Sequence, residues 1–389
     1  MGLILKVTGM ILLFLVVALG LAITIVPRFL DRIYYEGAVS DHFDGARFFN
    51  PDGDEDTTAP PTGGSRAGFF WRYLTGNDGR PPWPKTVSVT PSRPAARIDG
   101  ERMVATWIGH ATVLVQTQGL NILTDPVWSD TAGPFGFGPK RVSAPGVRLE
   151  DLPKIDLVLV SHNHYDHLDK ATLKRLWERD RPTIVTSLGN DSVIGQTGAQ
   201  ATALDWGESV AIRPGIEVTV VRNHHWGSRW FTDRNRALWS AFTIRLPGGN
   251  LFFAGDTGLG DGKWPAEAAA LGPVRLALIP IGAFRFVPGQ MGIGSHIGPP
   301  DAVRVFDRLG ASTAIPIHWG TFRLSYEARE TPPKMLDALL RATGAAPARF
   351  APVDYGAAFE VPPYAAPVKR VDEAKIAAAL RSAEVAALP

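Results

Sequence analysis

Cysteine is absent from all 389 residues. That excludes a disulfide framework, a thiolate zinc finger and an iron–sulfur site, so a transition metal would have to be held by histidine and carboxylate. The absence fits either side of a bacterial membrane. An excess of charge of one sign is also missing: 40 Lys and Arg stand against 38 Asp and Glu, a net of +2. No basic block stands out along the chain, so nucleic acid is not an expected partner. Histidine is scarce at nine copies, which makes any clustering of it informative. No internal repeat is evident.

What is present begins with one long apolar run, VTGMILLFLVVALGLAITIV at Val7–Val26, which carries no charge. Twenty helical residues at ~1.5 Å each span ~30 Å, about the hydrocarbon thickness of a bilayer. Lys6 flanks one end; Pro27, Arg28 and Arg32 flank the other. A cleavable signal peptide is the rival reading, but the run exceeds a usual h-region and no convincing small-x-small site precedes the arginines. The expectation is an uncleaved single-pass anchor. Arg28, Arg32 and Arg47 after the run, against Lys6 before it, lean towards a cytoplasmic catalytic domain.

Residues 31–100 are rich in Pro, Gly and polar residues and read as a connecting arm, with an aromatic stretch at Phe69–Tyr73. From Arg102 onward, short apolar or β-branched segments alternate with turns. Strands are expected at Met103–Trp107, Thr112–Thr117, Leu120–Leu123, Leu157–Val160, Val218–Val221, Ala241–Arg245, Leu251–Ala254, Ala277–Ile281 and Ala314–Ile317. Asp169 is placed to cap a helix running through Glu178, with Leu173, Leu176 and Trp177 on one face. A second helix is expected from Asp301 to Leu309, opened by that acidic residue, and an Ala-rich helix after Val371. Strands with helices between them suit a layered α/β sandwich.

The decisive stretch is Ser161-His-Asn-His-Tyr-Asp-His-Leu-Asp169, directly after Leu157–Val160. Three of the nine histidines fall here within six residues, beside a carboxylate. In extended backbone His162, His164 and Asp166 would share a face, with His167 following as the chain turns into a helix. These donors suit zinc, although His and Asp alone leave iron or manganese open. Three later segments, each after an expected strand, offer more: His224-His225, Asp256 between glycines, and His318. Only one of His224 and His225 should ligate, because neighbours point to opposite faces. A carboxylate at Asp256 is placed to bridge two ions ~3.5–4 Å apart.

The pattern H-x-H-x-D-H, then a later His, a G-D-T-G Asp and a terminal His, resembles the metallo-β-lactamase superfamily. TWIGHATVLVQ, LTDPVWSD, GPKR, VSHNHYDHLD, FFAGDTG, IPIGA and IHWGTF resemble more narrowly the N-acyl-phosphatidylethanolamine-hydrolysing phospholipases D and their bacterial relatives, from about Trp107 to Pro333. The resemblance implies an αββα sandwich, which would occupy residues 101–365; the sequence itself places a transmembrane anchor at 1–30 and an arm at 31–100 before it, and a helical tail at 366–389 after it. It implies two Zn2+ ions: His162, His164 and His225 on one; Asp166, His167 and His318 on the other; Asp256 bridging. Asp166, Asp256 and His296 would be the catalytic residues, with His296 lining the substrate pocket, and His110 and Asp125 would sit behind the ligands. The implied reaction is cleavage of a membrane phospholipid, N-acyl-phosphatidylethanolamine, to N-acylethanolamine and phosphatidic acid. A lactonase, a thioesterase or a small phosphodiesterase on the same metals stays open, as does a catalytically idle zinc-binding membrane protein. The sequence allows an oligomer without specifying one. The segment after Ile281, FRFVPGQMGIGS, and the apolar N-terminus depart from the animal enzymes' pattern.

Overall fold

The computed structural model describes residues 2–30, 32–53, 79–230, 232–286, 294–344, 347–366 and 371–389. The aromatic stretch Phe69–Tyr73 and most of the segment after Ile281 lie outside them.

The apolar run forms helix α1 (Gly2–Leu30), of which Gly2–Ile25 is long and apolar enough to cross a membrane and is not buried by the rest of the chain. Strands follow as β1 (Met103–Gly109), β2 (Thr112–Thr117), β3 (Leu120–Thr124), β4 (Leu157–Val160), β5 (Thr183–Ser187), β6 (Thr202–Leu204), β7 (Ser209–Arg213), β8 (Ile216–Val221), β9 (Ala241–Arg245), β10 (Asn250–Phe253), β11 (Val274–Pro280), β12 (Thr313–Ile317) and β13 (Ala358–Val361). They build two mixed sheets, ordered β13-β1-β2-β3-β4-β5-β6 and β12-β11-β10-β9-β8-β7. The helices are α2 (Lys170–Asp180), α3 (Asn190–Gly195), α4 (Trp264–Ala269), α5 (Pro299–Arg308), α6 (Thr331–Thr343), α7 (Glu373–Leu380) and α8 (Ala383–Ala386).

Burial explains why the strand sequences are apolar throughout. In β4, Leu157 and Leu159 join the cluster between the sheets with Val113, Val218 and Phe242, while Val158 and Val160 join Leu173, Leu176 and Ile194 under α2 and α3. Both faces are covered, so the period-2 alternation is lost. Each buried Leu or Val contributes roughly 1.5–3 kcal/mol. The second sheet is covered by α5 and α6, giving four layers: helices, sheet, sheet, helices.

The first expected helix is capped as its sequence suggests: Asp169 Oδ1 accepts from Ala171 N at 3.0 Å and Thr172 N at 3.3 Å. The second is not. Gly298 precedes α5 without a side-chain cap, and Pro299 and Pro300 open it because their φ is already helical; Asp301 instead accepts from Arg304 at 2.7 Å. The tail is two short helices, since the Ser382 hydroxyl accepts from Val385 N at 3.3 Å and starts α8. Both described parts of residues 31–100 lie on the sandwich. Phe43 and Phe48 pack with Leu238 and Trp239, and Ser92 N donates to Gly146 O at 2.8 Å.

Candidate metal centre

The charged residues of interest all follow strand ends at one edge of the sandwich. Asp125 follows β3, the His162–His167 segment follows β4, His225 follows β8, Asp256 follows β10 and His318 follows β12. His110 sits in the β1–β2 turn. Three of these adopt positive φ although none is glycine: His110 at 56°, Asp125 at 29° and His318 at 63°. Such conformations cost of order 1–3 kcal/mol each and persist only where the surroundings enforce them. Gly255, with φ +60°, is needed for a second reason: a Cβ there would lie 2.7 Å from the Ser161 Cβ.

The shared strand face expected for His162, His164 and Asp166 is not how they meet. Strand β4 stops at Val160, and the chain curls so that His167 N and Leu168 N both donate to His164 O, at 3.2 and 2.8 Å. The curl sorts the side chains into two groups. His162 Nε2 lies 2.8 Å from His164 Nδ1, which lies 3.4 Å from His225 Nε2. Asp166 Oδ2 lies 3.6 Å from His167 Nε2 and 3.5 Å from His318 Nε2. Asp256 Oδ2 stands between the groups, 3.1 Å from His167 Nε2, 3.0 Å from His318 Nε2 and 4.0 Å from His225 Nε2. Ligands about 2.1 Å from a tetrahedral ion are about 3.4 Å from one another, and these separations scatter around that value.

Unsatisfied atoms point the same way. His167 Nε2, His318 Nε2 and Asp256 Oδ1 are buried without a hydrogen bond among the described residues, a state that costs about 1–3 kcal/mol per atom unless something else binds there. Meanwhile the opposite ring nitrogens are held. The His167 Nδ1–H donates to Asp125 Oδ2 at 2.6 Å, and the His225 Nδ1–H to Ser295 O at 2.8 Å. His162 Nδ1 donates to Ser161 Oγ at 2.9 Å, whose own hydrogen goes to Asp125 Oδ2 at 2.6 Å. His318 Nδ1 faces Gly282 O at 3.3 Å. These tautomers are inferred from the partners, and they leave the inward nitrogens as lone pairs. The donor set therefore fits divalent metal binding.

Burial drives the imidazoles of His162 and His225 well below their ordinary pKa, helped by neighbouring rings, and takes His164, His110 and His296 to about 3. Burial acts equally on His318, but Asp256 and Asp166 outweigh it and lift that ring to about 9. His167 is raised for the same reason, facing Asp256, Asp166 and Asp125. Burial would raise Asp166 and Asp256, yet His167 and His318 hold both carboxyls well below the usual range. By these shifts His162, His164 and His225 form a neutral trio, while Asp166, Asp256, His167 and His318 form a buried network of opposite charges.

The remaining expected residues are placed as follows. His296 sits at the rim, its Nδ1 3.9 Å from Asp256 Oδ2 and its ring 5.3 Å from that of Phe286. His110 Nε2 donates to Asp166 Oδ2 at 3.0 Å. His224 stays out of the centre; its Nδ1 lies 2.9 Å from Asp52. Two residues with a role in positioning were missed. Ser161 relays between Asp125 and His162, and its place before His162 was the available signal. Arg229 clamps the loop by donating to Asn163 O at 2.9 Å and Leu168 O at 2.8 Å; nothing local in the sequence marks it.

The profile of the Beta-lactamase superfamily domain matches residues 120–319, from β3 through every strand-end segment named above. The chain belongs to that superfamily. Its fold is the metallo-β-lactamase sandwich. Among curated relatives it is 39% identical over 231 residues to N-acyl-phosphatidylethanolamine-hydrolyzing phospholipase D 1 of Caenorhabditis elegans, covering 57% of this chain and 64% of that one. It is 32% identical over 240 residues to the mitochondrial enzyme of the same activity name from Saccharomyces cerevisiae, covering 60% and 51%. The chain thus spans less than two thirds of either enzyme's length. Among solved structures, a metallo hydrolase of the archaeon Ignicoccus hospitalis matches with a TM-score of 0.52 at 20% identity, over 67% of this chain and 98% of that one; this likeness speaks to the fold alone.

Proposed function

We propose that the chain hydrolyses a phosphodiester bond of a membrane phospholipid, N-acyl-phosphatidylethanolamine, in the manner of a phospholipase D. The observation that carries the reading is the convergence of both donor groups on Asp256 Oδ2, within 3.0–4.0 Å. His162, His164 and His225 would hold one ion and Asp166, His167 and His318 the other, with zinc suited to these donors. Such a pair supplies Lewis acidity, acidifying a water and neutralising charge on a phosphoryl group. Asp256 holds the spacing between the groups. Its place between them, with Oδ2 3.1 Å from His167 Nε2 and 3.0 Å from His318 Nε2, suits it to bridging. His296, at the rim and neutral near pH 7, offers an N–H to a phosphoryl oxygen and orients the substrate. The names of the animal and yeast relatives support the lipid, and α1 supports it further, since a two-chain lipid stays in the bilayer.

The test uses the full chain in mixed micelles with N-acyl-phosphatidylethanolamine or phosphatidylcholine, with and without chelator, and identifies products by mass spectrometry. Chelator-sensitive release of N-acylethanolamine with phosphatidic acid is expected. A folded, metal-loaded protein that cleaves neither lipid would move the reading to a smaller ester or lactone.

A further inference from the structure

Outside α1, the large apolar side chains exposed among the described residues are Ile33, Val39, Phe135 and Phe137. Phe135 and Phe137 are 88% and 76% exposed. Both sit at the tip of a loop whose base is pinned by the Thr131–Lys140 bridge and by Ala132 N donating to Pro139 O at 2.9 Å. Within the tip, Phe137 N donates to Pro134 O at 2.9 Å, and Phe135 takes φ 55°. The backbone therefore holds two aromatic rings away from the domain. Single exposed apolar residues are ordinary; two phenylalanines on one pinned tip are a contact surface.

The position of the loop relative to α1 says what covers it. Behind the tip lies a cavity of about 410 Å³, walled by Arg32, Tyr34, Phe135, Lys170 and Arg229 among others. The apolar run ends at Val26 and the backbone stays helical to Leu30. At ~1.5 Å per helical residue and at most ~3.5 Å for each of the last two, Arg32 is then roughly 9–13 Å beyond the hydrocarbon. The headgroup region adds roughly 5–8 Å per leaflet. A loop sharing a cavity with Arg32 thus stands at the lipid surface. The cavity carries three cations against the carboxylate of Asp169, which is occupied by backbone donors at both α2 and Ser129. An apolar tip beside cationic side chains is the arrangement that binds anionic interfaces.

We propose that the 131–140 loop is a second membrane contact, inserting Phe135 and Phe137 into the lipid interface beside α1 while Arg32 and Lys170 meet the phosphate layer. The domain is then docked on the bilayer at two points instead of swinging on one tether. This rests on α1 spanning the membrane, and it makes no use of the metal centre or of the substrate assigned to it.

Because the chain has no cysteine, single labels are unambiguous. The full chain is reconstituted in vesicles of phosphatidylcholine with phosphatidylglycerol, carrying one nitroxide at F135C, F137C, L13C in the middle of α1, or D337C on the exposed face of α6. Power saturation compares collisions with oxygen, which concentrates in lipid, against a water-soluble nickel complex. The labels at 135 and 137 are expected to shift towards the oxygen-dominated behaviour of 13, and the label at 337 to stay nickel-dominated. Labels at 135 and 137 that match 337 while 13 is immersed would overturn the loop contact and leave the anchor standing. A water-exposed label at 13 would remove both. Shielding from both relaxers would also overturn the proposal, since it would mean protein packing. No turnover is measured, so the phospholipase reading stands or falls separately.

Discussion

Replacing Asp125 with asparagine keeps the shape of the side chain and changes one hydrogen-bonding group. Asp125 Oδ1 accepts from Ser161 N at 2.7 Å, and Oδ2 accepts from Ser161 Oγ and His167 Nδ1, each at 2.6 Å. Among the described residues the Ser161 N–H has no other partner, so an asparagine would keep its oxygen there and turn its amide NH2 towards His167. Two donors then face each other. His167 can resolve the clash only by moving its proton from Nδ1 to Nε2, which removes the lone pair aimed at the second ion. The reverse orientation would leave a buried backbone donor unsatisfied, at about 1–3 kcal/mol. Loss of such a supporting carboxylate costs about 10–100-fold in metal affinity, or roughly 1.4–2.7 kcal/mol. The effect should be uneven. The Ser161 hydroxyl can still accept from His162, so the His162–His164–His225 trio keeps its ion while the Asp166–His167–His318 group empties first. Metal content measured by mass spectrometry across a chelator titration reads both. Two ions retained by D125N with the retention of the parent chain would refute the tautomer argument.

Asp256→Asn is expected to loosen both ions, because one oxygen serves both groups, and to lower kcat by at least about 10²–10³-fold; unchanged metal content with full turnover would remove Asp256 from the bridging role. Stripping the metal should lower the melting temperature, since ligand at 100 times its Kd stabilises by about 2.7 kcal/mol; calorimetry with and without chelator measures it. Gly255→Ala places a Cβ 2.7 Å from Ser161 at a backbone φ of +60°, and a loss of about 1–3 kcal/mol is expected by urea unfolding. His42 gives a pH test away from the metals. Burial alone would lower its pKa, but Asp205 and Asp41 outweigh that and raise it. The folded state therefore favours the imidazolium, whose contribution is complete below about pH 6.5 and fades as pH rises through the raised value. The protection of amides around Phe43–Phe48, taken relative to their intrinsic exchange rate at each pH, should fall over that rise, and His42→Gln should flatten the dependence.

Much of the sandwich was legible because its strands are short apolar runs bounded by Gly, Asn or Asp, as at Leu157–Val160. Strand β5 escaped notice since TIVTS carries polar residues whose hydroxyls are satisfied internally: Thr186 Oγ1 donates to Val160 O at 2.8 Å and Ser187 Oγ to Leu238 O at 2.8 Å. Strand β7, at a sheet edge, is half exposed and lacks a distinct apolar signal. At the centre, the H-x-H-x-D-H spacing announced a cluster, but the geometry comes from a turn at His164 that side-chain alternation does not foresee. The choice of His225 over His224 depends on Asp52, 172 positions away. Such a long-range partner leaves no trace in local pattern.

Asn50 Nδ2 donates to His225 O at 2.9 Å, and Asn50 Oδ1 accepts from Trp239 Nε1 at 3.1 Å. Upstream, Tyr34 Oη donates to Asp233 Oδ2 at 2.9 Å. The boundary for a soluble truncation therefore falls between Leu30 and Tyr34, at the end of the helix, and not at the end of the Pro-rich stretch near residue 100. A fragment starting at 100 would lose a strut behind one of the proposed ligands, so its inactivity would say nothing about the chemistry.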